Sequence, residues 1–432
     1  PDRAQLADYT SAVAENNRMR LAGAAPDPEP KAASEPIAIP RRAGDPSLID
    51  HVVYIVKENR TYDQVLGDVA KGNGDPSLVM FGAEVTPNHH RLAEQFVLLD
   101  NFYATGGNSA DGHQWVTQAN EVAYCLWPGY AGRSYPFDGS DPIAYSSGGF
   151  LWDLAVKKKQ LDLLKRWQAG ESFLNEWNII APVASVNSVL AKNYPAYSTS
   201  IPDVIRARIF LEDLKGWEAS GKMPSLAIVQ LPSDHTFGTT PGASSAKAMV
   251  ADNDYALGQI VDGLTHSRFW KKMAIFVVED DAQNGVDHVD GHRTVALAIS
   301  PYVRRGAVDS TFYAHQSILK TIELILGLPT LSLFDLIASD MRASFTNTID
   351  ESPYKAVMPK QSLLEINPPA SALKGPARSG ALASAKMRWD VPDAVPSDQL
   401  NRILWHSIRG WQTPYPGTKQ AVFSPLSLDT DE

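Results

Sequence analysis

Residues 279–281 place three acidic side chains, Glu279-Asp280-Asp281, directly after the apolar run MAIFVV. Further acids and imidazoles follow in the same stretch: Asp287, His288, Asp290 and His292. Carboxylates that share a pocket repel one another unless a cation offsets their charge. Carboxylate oxygens supplemented by imidazole nitrogens suit Mg, Mn, Ca or Zn. The stretch therefore predicts a site for a divalent metal ion.

Polar side chains also follow three other apolar runs of the chain. Glu58 and Asn59 come after HVVYIV, Ser109 after FVLLDNFY, and Asp234 and His235 after SLAIVQL. Because ligands bind beyond the carboxyl ends of parallel strands, we expect these groups to converge with the acids after MAIFVV. A metal, a hydroxyl and imidazoles together suit phosphoryl or sulfuryl transfer, in which the metal activates the attacking group and neutralises charge on the substrate.

Each of these signals also has an ordinary structural interpretation. The acids at 279–281 alone are typical of a solvated strand end, and Ser109 in a Gly-Gly-Asn-Ser context is typical of a turn. Asp234-His235 would also fit a turn with a satisfied imidazole. Their shared position after apolar runs favours a site.

The elements that would position these residues are strands buried on both faces. Continuous apolar, β-branched runs of this kind occur at 51–56, 96–103, 225–231, 273–278 and 295–300. Helical patterns lie between or after them, notably at 246–265 and 314–327. Strands that alternate with helices predict an α/β protein, a three-layer α/β/α sandwich around a mainly parallel central sheet.

We expect three regions along the chain. Residues 1–47 would form an N-terminal helix and a Pro/Ala-rich linker. Residues 48–345 would form the catalytic domain, with an aromatic-rich insertion or cap at about 124–200. Residues 346–432 would form a C-terminal extension that wraps this domain and contains a short helix with Ser397 as its N-cap.

The composition of the chain disfavours several classes of function. The net charge of −10 disfavours binding to nucleic acid or to an anionic membrane. No apolar run is long enough to span a bilayer, and the single cysteine allows no intrachain disulfide. We recognise no secretory signal. Because the sequence starts at Pro1 rather than at Met, we expect a mature or trimmed form.

Four segments resemble, in order, the blocks of a known family. VYIVKENRTYDQVLGD resembles the opening ENRxxDxxxG signature of the bacterial phosphoesterase family, which includes acid phosphatases and non-specific phospholipases C and belongs to the alkaline phosphatase superfamily. LLDNFYATGGNSADGH resembles the block with a Ser or Thr nucleophile, FVVEDDAQNGVDHV resembles DEHGGxxDHV, and the segment from VALAISPYV to GLPTL resembles the closing block. The blocks span residues 50–335 and are most similar to a subgroup often fused to a β-propeller.

The resemblance implies an alkaline-phosphatase-like fold and a set of metal ligands: Glu58, Asn59, Ser109, Asp280 and Asp281. It also makes Ser109 the nucleophile. In contrast to the phospholipase block, Ala282 stands where a His is expected, which weakens any transfer of phospholipase substrate detail.

Three histidines complete the implied machinery. We expect His235, His288 and His292 to stabilise phosphoryl oxygens or to protonate the leaving group. The resemblance also allows a second metal ion, bound by Asp234, His235 and His292.

The sequence therefore predicts a metal-dependent phosphoesterase with one or two divalent ions (Mg, Mn, Ca or Zn) and a phosphoseryl intermediate on Ser109. Small phosphomonoesters are the favoured substrates. A phospholipase C-like phosphodiesterase acting on a phospholipid headgroup and a non-catalytic, metal-stabilised binding module remain alternatives. A sulfatase is disfavoured because residues 109–112 do not match C/S-x-P-x-R. The resemblance also implies a periplasmic or secreted location.

Overall fold

The computed structural model describes residues 35–126, 142–158, 189–191, 193–389 and 393–419, together with a few of the first ten residues. Most of the predicted N-terminal helix and linker, and much of the predicted insertion at 124–200, lie outside the described residues.

The strands of the described chain form one large sheet and one small one. They are β1 (His51–Lys57), β2 (Val97–Leu99), β3 (Phe102–Tyr103), β4 (Leu226–Leu231), β5 (Met273–Glu279), β6 (Ala296–Ile299), β7 (Val308–Asp309) and β8 (Tyr313–Ala314). Six of them form a sheet in the order β4-β1-β5-β6-β2-β7, and β3 pairs with β8. Only β6 runs against the others in the large sheet, antiparallel to β5 and β2. The predicted mainly parallel sheet is confirmed.

Ten α-helices are described between and after the strands. They are α1 (Tyr62–Leu66), α2 (Pro87–Gln95), α3 (Ser109–Gln118), α4 (Leu151–Lys157), α5 (Asp203–Ser220), α6 (Ala246–His266), α7 (His315–Leu326), α8 (Leu333–Ile337), α9 (Gly375–Ser384) and α10 (Ser397–Arg409). Among them, no helix has the length and apolar character needed to cross a membrane.

Helices cover both faces of the sheet. Every residue of β5 is buried, as are residues 52–57 of β1. Successive side chains of a strand point to opposite faces, so burial of both sets requires cover on both sides. The helices pack in two groups: α5 and α2 lie against α6, whereas α3 and α8 lie against α7. The fold is therefore a three-layer α/β/α sandwich.

Two predicted boundaries differ from the structure. The run at 96–103 divides into β2 and β3 because Asp100 leaves the ladder to accept a hydrogen bond from the Asn73 amide at 2.8 Å. Asp and Asn are also poor strand formers. Ser397 is the first residue of α10 rather than its N-cap, a position that Pro396 takes.

The carboxyl ends of three strands lie at one edge of the sheet. Lys57, the last residue of β1, pairs in register with Glu279 of β5 and Leu231 of β4. Glu58, Asp280 and the turn at Ser233–His235 therefore follow at the same level. This confirms the expected convergence of polar residues beyond the strand ends.

The C-terminal helix α10 is joined to this edge through its buried face. Leu400, Leu404 and Trp405 share a small apolar cluster with Phe81 and other residues of the α/β domain. From the same helix, Asn401 donates from Nδ2 to the carbonyls of residues 283 and 284, at 2.9 and 3.2 Å. The helix thus holds the loop that follows Asp281.

Helix α3 approaches the end of β5 so closely that it needs a glycine. A Cβ added to Gly112 would lie 2.2 Å from the backbone oxygen of Asp280. The first turn of α3 can therefore rest on the strand end only if position 112 has no side chain.

We predict that Gly112→Ala pushes α3 away from β5 and lowers the free energy of unfolding by about 1–3 kcal/mol, as overpacking does. Gly216→Ala is the matched control, because position 216 is exposed on helix α5 and an added Cβ meets no atom within 4 Å. The control should be neutral or slightly stabilising. Urea unfolding of both variants measures the difference, and equal stabilities would contradict the role assigned to the close approach.

Candidate functional site

A cavity of about 590 Å³ lies at the aligned strand ends. Five of the residues predicted from the sequence line it: Glu58, Asn59, Ser109, His235 and Asp281. They come from the ends of β1 and β5, the turn after β4, and the start of α3. The chain therefore brings residues separated by more than half its length to one wall.

An acidic cluster with one imidazole lies at this wall. The Oε1 atom of Glu58 is 3.3 Å from Nε2 of His113, and Oδ2 of Asp280 is 3.5 Å from the same nitrogen. All three residues are buried. The Oε2 atom of Glu58 and both carboxylate oxygens of Asp280 have no hydrogen-bond partner among the described residues.

This donor set fits a divalent cation. A buried carboxylate without a partner is costly, and a bound cation would remove that cost. Oxygen and imidazole ligands from Glu58, His113 and Asp280 lie within 4.8 Å of one another, the spacing of a shared metal ion. The role of Glu58 and Asp280 as metal ligands stays a prediction, which this geometry supports.

The Ser109 hydroxyl is oriented by two neighbours. It donates to Oδ2 of Asp281 at 2.9 Å, and Nδ2 of Asn59 lies 3.3 Å from the hydroxyl oxygen and 2.9 Å from Oδ1 of Asp281. Asn59 adopts φ 63°, a left-handed conformation that asparagine tolerates better than most residues. The serine oxygen is thus fixed beside the acidic cluster.

The electrostatics of the cluster oppose ionisation in the absence of a cation. The pKa of Asp280 is raised well above its usual range. Burial is the largest cause, and repulsion from the carboxylates of Glu58 and Asp281 comes next. Burial, followed by the carboxylate of Asp393, raises the pKa of Asp281 to about 7. A bound cation would reverse both effects, because it favours the charged form of its ligands.

The Asp234 carboxylate is neutralised by a lysine below the cavity. Lys57 Nζ lies 2.8 Å from Oδ2 of Asp234 and 2.6 Å from Oε1 of Glu279. Burial alone would lower the pKa of Lys57, but these two carboxylates raise it above its usual value. The other oxygen of Asp234 accepts from the Glu58 amide at 3.1 Å. The predicted metal-binding role of Asp234 stays a prediction.

His288 and His292 lie in other hydrogen-bond groups. His288 Nδ1 is 2.6 Å from Oδ2 of Asp63, whose other oxygen is 3.0 Å from the guanidinium of Arg293. Arg293 also binds Asp287 at 3.0 Å, so this second acidic group already contains its cation. His292 is 41 % exposed and bonds to a carboxylate two residues earlier. Neither histidine is among the described residues that line the cavity.

Comparison with known proteins gives the family. The model described as the Phosphoesterase family matches residues 69–329 of this chain. The chain belongs to the phosphoesterase family. Membership in this family supports a hydrolase. Membership in the subgroup often fused to a β-propeller stays a prediction. A sequence comparison with curated proteins finds no match.

Several solved structures are similar to this chain at low sequence identity. A protein in the alkaline phosphatase superfamily from Vibrio parahaemolyticus is 18 % identical, with a TM-score of 0.47 over 79 % of this chain and 78 % of that one. The sulfatase PsFucS1 from Pseudoalteromonas sp. is 12 % identical, with a TM-score of 0.44 over 71 % and 74 % of the two chains. The lipoteichoic acid synthase LtaP from Listeria monocytogenes is 13 % identical, with a TM-score of 0.44 over 69 % and 79 %. These likenesses are distant, and the fold assignment rests on the strand order described above.

His113, Trp389 and Asp393 are among the residues of this site that were not predicted as site residues. His113 follows Ser109 by four positions on α3, so it shares a helix face with it, and that spacing could have identified it. Trp389 and Asp393 also line the cavity. They come from the C-terminal segment, where no motif or periodicity marks them.

We predict that a divalent cation stabilises the protein more at about pH 8 than at about pH 5. Aspartate in the unfolded chain titrates near pH 3.9. A carboxyl whose pKa is raised in the folded state therefore stabilises the fold fully below that pH, and this contribution is lost as pH rises towards the folded-state pKa. Cation binding requires ionised ligands and offsets this loss. At a free cation concentration of 100 times Kd, binding adds about 2.7 kcal/mol to the free energy of unfolding. Calorimetric Tm values with EDTA and with Mn²⁺, at both pH values, measure the effect. An unchanged Tm at both would contradict a metal site.

Two matched substitutions separate the two acidic groups. Asp280→Asn removes a buried carboxylate without a hydrogen-bond partner, so we expect an equal or higher Tm in EDTA and loss of the Mn²⁺-induced increase. Asp63→Asn breaks the ion pair with Arg293 and should cost about 3 kcal/mol, while the Mn²⁺-induced increase remains. If the increase disappears in Asp63→Asn and survives in Asp280→Asn, the metal site has been assigned to the wrong group.

Proposed function

We propose that the chain is a metal-dependent phosphoesterase that uses Ser109 as its nucleophile. The observation that carries the proposal is the position of the serine hydroxyl, hydrogen-bonded to Asp281 and Asn59 and facing a cavity beside buried, unpartnered carboxylate oxygens. A nucleophile must be oriented and close to the charge that activates it. This arrangement meets both requirements.

The position of Ser109 on its helix adds to this. It is the first residue of α3, where the helix dipole places partial positive charge and favours an incoming anion. Asp281 accepts the serine hydrogen bond, which fixes the direction of the hydroxyl. Asn59 restrains both side chains and helps to keep the nucleophile in one conformation.

The proposed metal ligands are Glu58, Asn59, Ser109, Asp280 and Asp281, with His113 beside them. A divalent cation held there would lower the pKa of the serine hydroxyl and offset the negative charge of the phosphoryl group. Mg, Mn, Ca and Zn all accept such ligands.

In the proposed reaction, Oγ of Ser109 gives its proton to Asp281, which accepts its hydrogen bond, and forms a bond to phosphorus while the bond to the leaving oxygen breaks. The leaving oxygen takes a proton from His235, which lines the same cavity. Nδ1 of His235 lies 3.2 Å from the carbonyl of Thr236, so Nε2 remains for proton exchange. Water then hydrolyses the phosphoseryl bond and restores the serine. His288 and His292, predicted alongside His235, carry no step in this proposal.

Phosphomonoesters are the favoured substrates because Glu58 and Asn59 match the ligand positions of the acid-phosphatase branch. A phospholipase C-like phosphodiesterase is the second candidate, and one feature favours it. Phe237, Trp389 and Leu400 give the cavity an apolar side that could accommodate part of a lipid. A periplasmic or secreted location is part of the proposal, on the basis of the family resemblance.

We predict that Ser109→Ala lowers hydrolysis of p-nitrophenyl phosphate by at least about a thousandfold, because the covalent route is lost. Ser200→Ala is the control, since it removes another hydroxyl from the cavity without touching the nucleophile. Each protein is stripped of metal and then assayed with Mg, Mn, Ca or Zn restored.

The same assay with bis-p-nitrophenyl phosphate distinguishes a monoesterase from a diesterase. Retained turnover in Ser109→Ala would remove the serine from the nucleophilic role. A folded, metal-binding protein without activity on either ester would favour the non-catalytic alternative.

A further inference from the structure

The first two amides of α3 are already bound by an anion that the chain itself supplies. The Ser109 amide donates to Oδ1 of Asp393 at 3.2 Å, and the Ala110 amide donates to Oδ2 at 3.1 Å. One carboxylate therefore spans both amides, although it comes from a position 284 residues after the serine. The contact closes the helix end on its cavity side.

The third amide of α3, that of Asp111, is bound by a local cap. The Asn108 side chain accepts from the amide of Asp111 at 3.2 Å, as an N-cap residue does. The amides of Ser109 and Ala110 are the ones that a local cap leaves open, and such amides commonly bind phosphate or carboxylate. Asp393 therefore occupies a ready-made anion position.

The surroundings identify this position with the reacting group of a substrate. Ser109 carries the proposed nucleophile on the same residue as the first amide, and both face the cavity that Asp393 also lines. Glu58 lines it too, and its buried Oε2 has no hydrogen-bond partner among the described residues. A cation bound there would lie beside an anion held at the helix end, which is the charge pattern of a metal-bound phosphoryl group.

The position of the Asp393 carboxylate also has an electrostatic cost. Asp393 adds a negative charge to a cavity wall that also carries the carboxylates of Glu58 and Asp281. Its backbone has φ 54°, in the left-handed region that aspartate and asparagine adopt more often than most residues. Two charge-assisted hydrogen bonds to amides offset the electrostatic cost. A bound phosphoryl group could replace them.

We propose that Asp393 competes with the phosphoryl group of the substrate and of the product for the amides of Ser109 and Ala110. This inference rests on the proposed function. The carboxylate presents two oxygens with the charge and spacing suited to two amides, and it must turn away when a phosphate ester binds. The consequence is weak binding of inorganic phosphate, which favours release of that product and raises KM.

Described residues before and after Asp393 are held by hydrogen bonds. Trp389 donates from Nε1 to the carbonyl of Ser384 at 2.9 Å and packs its ring edge-on against Phe237. Helix α10, which follows Asp393, is held through Asn401. The proposed exchange of the carboxylate for a phosphoryl group requires rotation of the Asp393 side chain and leaves these two contacts in place.

The test is titration of inorganic phosphate into the Mn²⁺-loaded protein, with Kd measured by calorimetry. Asp393→Asn removes the charge and keeps the shape, and asparagine tolerates the left-handed backbone. We expect phosphate to bind at least about tenfold more tightly in this variant, since a competing charge has gone. Asp398→Asn is the matched control: it removes a charge from the same segment at an exposed ion pair and should leave Kd unchanged.

An unchanged or weaker Kd in Asp393→Asn overturns the proposal, and so does the absence of phosphate binding in both proteins. Asp393→Gly, which removes the side chain altogether, is the second variant and should show the same tightening. If both variants lower Tm and leave Kd unchanged, Asp393 is only a structural cap.

Hydrolysis of p-nitrophenyl phosphate is measured on the same proteins, so that the two proposals fail separately. Activity with an unchanged Kd overturns this inference alone. Tighter phosphate binding in a protein that hydrolyses no ester supports this inference and overturns the proposed function.

Discussion

The site depends on the buried ammonium of Lys57, which lies where β1, β4 and β5 end together. Five carboxylates meet at this edge of the sheet: Asp234, Glu279, Glu58, Asp280 and Asp281. Lys57 is ion-paired to the first two at 2.8 and 2.6 Å, below the cavity. The other three acids are not ion-paired to this lysine. A cation supplied by the chain thus compensates only part of the negative charge at this edge.

Helix α3 provides the other half of the site and depends on close packing. Its first turn contacts the backbone of Asp280, which requires a glycine at position 112. The helix then presents Ser109 and His113 on one face, toward acids delivered by the strands. The proposed nucleophile therefore comes from a helix start and its acidic neighbours from strand ends. Register and packing together bring them within hydrogen-bond distance.

Continuous apolar runs were sufficient to predict the strands and the edge where their polar residues meet, because burial on both faces leaves that pattern. The boundaries failed where local hydrogen bonds decided them, as at Asp100. His113 carried a usable signal in its spacing from Ser109. The placement of His288 beside Asp63 and Arg293 could not be predicted, since nothing in a loop sequence specifies which distant partner it contacts. Asp393 is the extreme case, a contact across 284 residues without any pattern.

The cavity combines residues from both ends of the described chain, and this has a consequence for biosynthesis. Glu58 is translated early, whereas Trp389 and Asp393 leave the ribosome only after the whole family-matched region at 69–329. Chains fold progressively from the N-terminus during synthesis. A nascent chain can therefore assemble the acidic cluster while one wall of the cavity is still missing. The cavity cannot be complete before residue 393 has left the ribosome.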